Sequence, residues 1–153
     1  MSSSQHEDYL LREIRAVAVM LARILGLRTS GRLEEARVEL EKAYDHLLGP
    51  RVELFRKLDS RTAADLVDSP DRTLSLARLV HEEAAQEADA ARRSELRMRA
   101  VRTALEAARR RPGSAEIREF LTEAAAGIDD RRLTPAERAS LEEILVRPKR
   151  GSV

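Results

Sequence analysis

His6, His46 and His81, together with several acidic pairs, are the residues from which a reactive centre in this chain would have to be built. A metal ion held on one helix face needs ligands three or four positions apart. Around His81 those positions are Ala77, Arg78, Ala84 and Ala85. His81-Glu82-Glu83 therefore has neither the HExxH spacing of zinc hydrolases nor the ExxH spacing of carboxylate-bundle metal proteins. Asp45 and His46 are sequential and diverge around a helix. Each histidine is predicted to sit on solvated surface. Glu34, Glu35, Glu39 and Glu41, and later Glu142 and Glu143, would serve as acid–base pairs only if burial or crowding moved their pKa. They fall on polar helix faces with arginines nearby, which predicts solvated carboxylates. Cysteine is absent, so neither thiolate chemistry nor a disulfide is available. Gly113-Ser114 and Gly151-Ser152 are isolated pairs, unlike a phosphate loop or a nucleophile elbow. The expectation is no catalytic residue, no cofactor, no metal and no enzymatic activity.

A run of arginines carries the sharper functional idea. Arg92, Arg93, Arg97, Arg99, Arg102, Arg109, Arg110 and Arg111 crowd residues 92–111, against only Glu95 and Glu106. One reading is a basic face, centred on Arg93, Arg97, Arg102 and Arg109, for an acidic partner or a nucleic-acid backbone. The other is that they pair with Glu82, Glu83, Glu87 and Asp89 and lay their stems over an alanine stripe. The net charge is only +1, and two Phe and two Tyr with no Trp leave few rings on which bases could stack. The second reading is favoured, and nucleic acid is the alternative partner rather than the expected one. The skew toward arginine, with Lys42, Lys57 and Lys149 the only lysines, is read as the codon bias of a GC-rich genome rather than a selective use of guanidinium.

The elements that must carry these residues are helices. Charged residues make up 36 % of the 153 positions and alanine and leucine dominate the apolar ones; Ala, Leu, Glu and Arg are all good helix formers. No segment alternates long enough for a strand. Residues 7–49 read as a helical hairpin turning at Ser30-Gly31, with Ser4 and Glu7 at capping-box spacing. Its first helix carries Leu10, Ile14, Val17, Leu21, Ile24 and Arg28 on one stripe. It is apolar on most sides over 16–27, which predicts a central helix with neighbours on several flanks or a second subunit covering it. Gly26 is expected to admit a close neighbour. Leu33, Ala36, Leu40, Ala43 and Leu47 line the second helix. Residues 50–68 form an insertion of short helices. Residues 69–111 form a second hairpin that starts at Ser69-Pro70 and turns near Ala91, with one long bent helix as the alternative. Its facing stripes are Ala77, Val80, Ala84, Ala88 and Ala91, then Leu96, Ala100, Ala104 and Ala108. Two C-terminal helices fill 114–146, the last opened by the strong signal Thr134-Pro135-Ala136-Glu137. Residues 1–6 and 147–153 are expected to be flexible, flanking a single domain over 7–146.

Gly31, Ala36, Leu40 and Ala43 have the spacing of the second helix of a tetratricopeptide repeat, and Ala91, Leu96 and Ala100 match its first three places, with Thr103 at the fourth. The two turns lie about sixty residues apart rather than the roughly 34 of a tandem array, so the units are repeat-like and separated by an insertion. Asp8-Tyr9-Leu10-Leu11-Arg12-Glu13-Ile14, Leu21-Ala22-Arg23-Ile24-Leu25-Gly26-Leu27, Ala43-Tyr44-Asp45-His46-Leu47-Leu48-Gly49 and Leu76-Ala77-Arg78-Leu79-Val80-His81-Glu82-Glu83-Ala84 together resemble an uncharacterised bacterial family of tetratricopeptide-repeat-like helical proteins. The resemblance covers most of residues 8–108. It implies an all-α fold of about six to eight helices in antiparallel hairpins, and no catalytic residues.

The functional expectation is a non-enzymatic interaction or scaffold module that binds a peptide or partner helix in a helical groove. Tyr9, Arg23, Arg28 and Tyr44 are the candidate contacts, being polar or aromatic groups beside an apolar helix. Self-association, most simply a homodimer, is expected from the wide apolar surface of the first helix. The N-terminus lacks a signal-peptide pattern, and the longest apolar run is about twelve residues against the roughly twenty a bilayer needs. No membrane contact and a cytoplasmic location are expected.

Overall fold

A computed structural model describes residues 3–146, and among them all regular structure is helical. In order these are α1 (Ser3–Thr29), α2 (Leu33–Leu48), α3 (Val52–Lys57), α4 (Ser60–Val67), α5 (Pro70–Gln86), α6 (Ala90–Arg110), α7 (Ala115–Ala125) and α8 (Pro135–Val146). Short 3-10 turns occupy Gly49–Arg51 and Asp130–Arg132. The tail expected over 147–153 lies outside the described residues. At the other end α1 begins at Ser3, ahead of the start read at Glu7, so Ser4 lies within its first turn.

Local chemistry sets the boundaries. Gly31 and Gly49 take positive φ, of 79° and 61°, at the two ends of α2, a conformation that costs glycine nothing and an L side chain strain. Asp59 accepts a hydrogen bond from Thr62 N at 2.8 Å and caps α4. Ser69 accepts from Arg72 N, with Pro70 at the first position of α5. Before α8, Thr134 N donates to Glu137 Oε1 at 2.9 Å and Glu137 N donates back to Thr134 Oγ1 at 3.1 Å, the reciprocal pair of a capping box.

The second turn differs from the sequence reading. α5 and α6 are separate helices, but they part at residues 87–89 rather than near Ala91. Asp89 causes this: its side chain accepts from Arg92 N at 2.9 Å and starts α6 at Ala90. Ala88 and Ala91 are in consequence exposed and belong to no packing stripe. Of the remaining alanines of the stripes, Ala77, Ala84, Ala100 and Ala104 are buried and Ala108 is half-buried.

Ion pairs between helices give their directions. Arg23 lies 3.6 Å from Glu39 across α1 and α2, which turn back on each other at Gly31. Glu13 and Arg28 of α1 meet Arg72 and Glu82 of α5, in that order, so α1 and α5 run parallel. Tyr44 of α2 bonds Glu83, while the Leu47 carbonyl accepts from Arg72, so α2 runs antiparallel to α5. Arg92 near the start of α6 reaches Glu83 near the end of α5, and Arg111, just past α6, reaches Asp71 at the start of α5, again antiparallel.

The central helix is α5, not α1. It packs against α1, α2, α4, α6 and α7, and Leu74, Leu76, Ala77, Leu79, Val80 and Ala84 are buried on its several sides. α1 touches only α2 and α5 substantially. Val17, Ile24 and Leu27 are buried there, whereas Leu11, Val19 and Leu25 are exposed. Among the described residues Gly26 has no close neighbour from another element, and Leu33 is exposed rather than buried. Apolarity around α1 marks surface that the other described residues do not cover.

Candidate functional site

Among the described residues a cleft of about 450 Å³ opens where α2 and α3 face α5 and α6. Leu48, Val52 and Phe55 line one wall, and Leu76, Val80 and Leu96 the other. The charged rim carries Arg56, Arg92, Arg99 and Arg102 against Asp59, Glu83 and Glu95. Opposite charges nearly cancel there.

Glu83 is the hub of the cleft. It accepts from the Tyr44 hydroxyl at 2.7 Å and from Arg56 Nη1 at 2.9 Å, with Arg92 3.7 Å away. Burial and then the adjacent Glu83 carboxylate hold the Tyr44 phenol well above its ordinary pKa, so it stays a neutral donor. The Arg56 guanidinium also stacks over the Tyr44 ring, 5.0 Å from its centre. Arg99 donates to the main-chain carbonyls of Phe55 and Leu58, which pins α3 and the following turn to α6. Four helices are thus fastened around one carboxylate. Tyr44 and Arg56 donate to Glu83, and Arg92 adds a second positive charge beside it. The arrangement suits recognition of a shape with apolar projections.

The residues singled out from sequence do not converge. Tyr44 is in the cleft but only 4 % exposed. Tyr9 is 58 % exposed near the start of α1. Arg23 lies beside Glu39, and Arg28 donates to Glu82 at 2.6 Å, which makes it a fastening between α1 and α5. Among the arginines of the basic face, Arg93 donates to the Glu87 carbonyl and Arg102 to Glu137 and to the Arg132 carbonyl. Arg109 donates to Glu106, and the Arg97 stem lies beside Gly127. Arg110 and Arg111 reach Asp65 and Asp71. The partners are spread over α4, α5, α8 and the loops, more widely than the α5 acids expected; Glu82 goes to α1 instead.

Phe55 and Arg56 were not singled out from sequence, and Glu83 was read only as a partner for the arginines of 92–111, as its approach to Arg92 bears out. The signal for Phe55 and Arg56 was the insertion itself, whose short helices have no reason to be apolar unless they close a wall. His81 also departs from its expectation of solvated surface. It is half-buried, stacks edge-on to Phe120 at 5.5 Å, and its Nδ1 has no hydrogen-bond partner. Burial pushes its pKa below the ordinary value of 6.5, against the pull of Glu123 and Glu82. His6 and His46 are exposed, and Glu34, Glu35, Glu41, Glu142 and Glu143 are exposed as expected, with Glu39 half-buried. Among the described residues no group of His, Asp or Glu is placed to hold a metal, and no helix is long and apolar enough to cross a membrane. Comparison of the chain with protein-family models, curated proteins and solved structures gave no match.

Proposed function

We propose that this chain is a non-enzymatic protein-interaction module of tetratricopeptide-like layout, which binds a peptide or partner helix in the cleft between α2–α3 and α5–α6. The alternation of parallel and antiparallel helices across α1, α2, α5 and α6 is what stacked helical hairpins produce. The observation that carries the reading is the apolar floor of the cleft beneath a rim whose charges already have partners. Such a site gains little from a highly charged ligand and most from apolar side chains entering it. The ligand is therefore a segment with two or so apolar anchors at helical spacing, flanked by residues of mixed charge.

Selection of displayed peptides on the whole protein tests this, with Val52→Glu as the counter-selection variant. Val52 is half-buried on α3 and faces the cleft, so the change spoils the floor while leaving the core intact. Peptides enriched on the wild type should carry apolar anchors and lose at least tenfold in affinity on the variant. Enriched peptides that bind both proteins equally, or no enrichment, reject the cleft as the site. The nucleic-acid alternative has weaker support, because Arg93, Arg102 and Arg109 are held by intramolecular acceptors. A mobility shift with RNA or DNA at low salt would revive it.

A further inference from the structure

We infer that α1 is the interface of a two-fold homodimer in which two copies of the helix pack antiparallel about Ala18. α1 contributes no side chain to the cleft, so this inference stands apart from it. The helix is covered on two sides by α2 and α5. Its free side presents Leu11, Ala18, Ala22 and Leu25, with Ile14 half-buried at the border. At 3.6 residues per turn these five lie within an arc of about 80°. Leu11 and Leu25 are 47 % and 48 % exposed, large apolar groups that the fold leaves in water.

A second copy fits this face because its layout mirrors itself. Leu11 and Leu25 lie seven residues to either side of Ala18, about 10.5 Å in each direction. A closed two-fold contact must be self-complementary. An antiparallel pair centred on Ala18 sets Leu11 of one copy against Leu25 of the other, twice, with Ala18 against itself and Ala22 beside Ile14. Small residues at the axis let the helices approach to the short end of the usual 8–10 Å. Charge agrees with this direction. Glu7 and Asp8 at the start of α1 come to rest near the exposed Arg32, just beyond the end of its counterpart, whereas a parallel pair would stack acid on acid. Arg15, at the edge of the arc, runs its stem along the seam and keeps its head in water. The face spans about 21 Å of helix, so it buries less than the roughly 800 Å² per partner of a standard interface. The association is therefore weak and concentration-dependent.

Sedimentation equilibrium of the full chain over a range of about 10 to 500 µM tests the proposal. The wild-type average mass should climb from 17.2 kDa toward twice that value. Ala18→Arg, an exposed helix position that leaves circular dichroism unchanged, should hold the mass at 17.2 kDa throughout. Leu11→Glu and Leu25→Arg should each be monomeric alone, while their equimolar mixture regains the dimer through the glutamate–arginine contact that only the antiparallel register creates. A wild type that stays monomeric, an Ala18→Arg protein that still dimerises, or a mixture that stays monomeric overturns the proposal.

Discussion

Replacing Arg28 by methionine isolates the fastening between α1 and α5. Arg28 Nε lies 2.6 Å from Glu82 Oε1 and Nη2 lies 3.4 Å from Oε2, and the two side chains are 28 % and 9 % exposed. Methionine keeps most of the apolar stem in place and deletes the charge, which leaves Glu82 among packed helices without its cation. Breaking a buried pair in this way costs about 3–5 kcal/mol. More than a quarter of the Arg28 side chain faces water, so solvent reaches the orphaned carboxylate and the expected loss is lower, about 2–3 kcal/mol. The double variant Arg28→Met/Glu82→Met removes both charges and should return to within about 1 kcal/mol of the wild type, because a packed apolar pair substitutes well for a buried ionic one. Urea unfolding followed by circular dichroism measures each value. At a slope of about 2 kcal/mol per molar, the single variant's midpoint falls by about 1–1.5 M and the double variant's by less than half that. A single variant within about 0.5 kcal/mol of wild type, or a double variant no better than the single, refutes the assignment of Arg28 to the interior rather than to a recognition surface.

Two further outcomes follow from the packing. The lowered pKa of His81 means that the unfolded chain takes up this proton first as pH falls through about 6.5, so stability is lost on acidification below that value. His81→Phe keeps a ring against Phe120, and its melting temperature should fall less than that of the wild type between pH 7.5 and 5.5; equal falls would remove His81 from the account. Ala104 is fully buried in α6, so Ala104→Leu should cost about 1–3 kcal/mol by overpacking, whereas Ala91→Leu, on exposed surface, should stay within about 0.5 kcal/mol, as measured by urea unfolding. A costly Ala91 change would restore it to the packing stripe.

Much of this fold can be read before any coordinate is known, and the legible parts share a physical cause. Thr134 and Glu137, Ser69 and Pro70, and the positive-φ glycines Gly31 and Gly49 act within a few residues of themselves, so the information they need is carried in their own neighbourhood. Asp89 belongs to this class, and its cap was missed because a single acid among alanines and arginines also reads as ordinary helix surface. The alanines at 36, 43, 77, 100 and 104 and their burial follow from helical periodicity alone.

Which helices meet, beyond the sequence-adjacent pairs α1–α2 and α5–α6, was not legible in this way. Periodicity shows that α1 is apolar over a wide arc, yet the same arc serves a central helix and a terminal one awaiting another surface. Arg28 and Tyr44 looked like contacts for a partner, since a polar group beside an apolar stripe has the same pattern whether its acceptor is another molecule or Glu82 and Glu83 on a helix far along the chain. The arginines of α6 were ambiguous for the same reason, and folding distributes them among acceptors on α4, α5 and α8. The amino-acid sequence alone determined helices, caps and the absence of a local ligand pattern, because backbone hydrogen bonding and side-chain periodicity are short-ranged. Only the tertiary structure decided that α5 is the centre, that the insertion walls a cleft, and that one face of α1 is left in water. Those outcomes depend on contacts between residues dozens of positions apart, and these form only when the whole chain has packed.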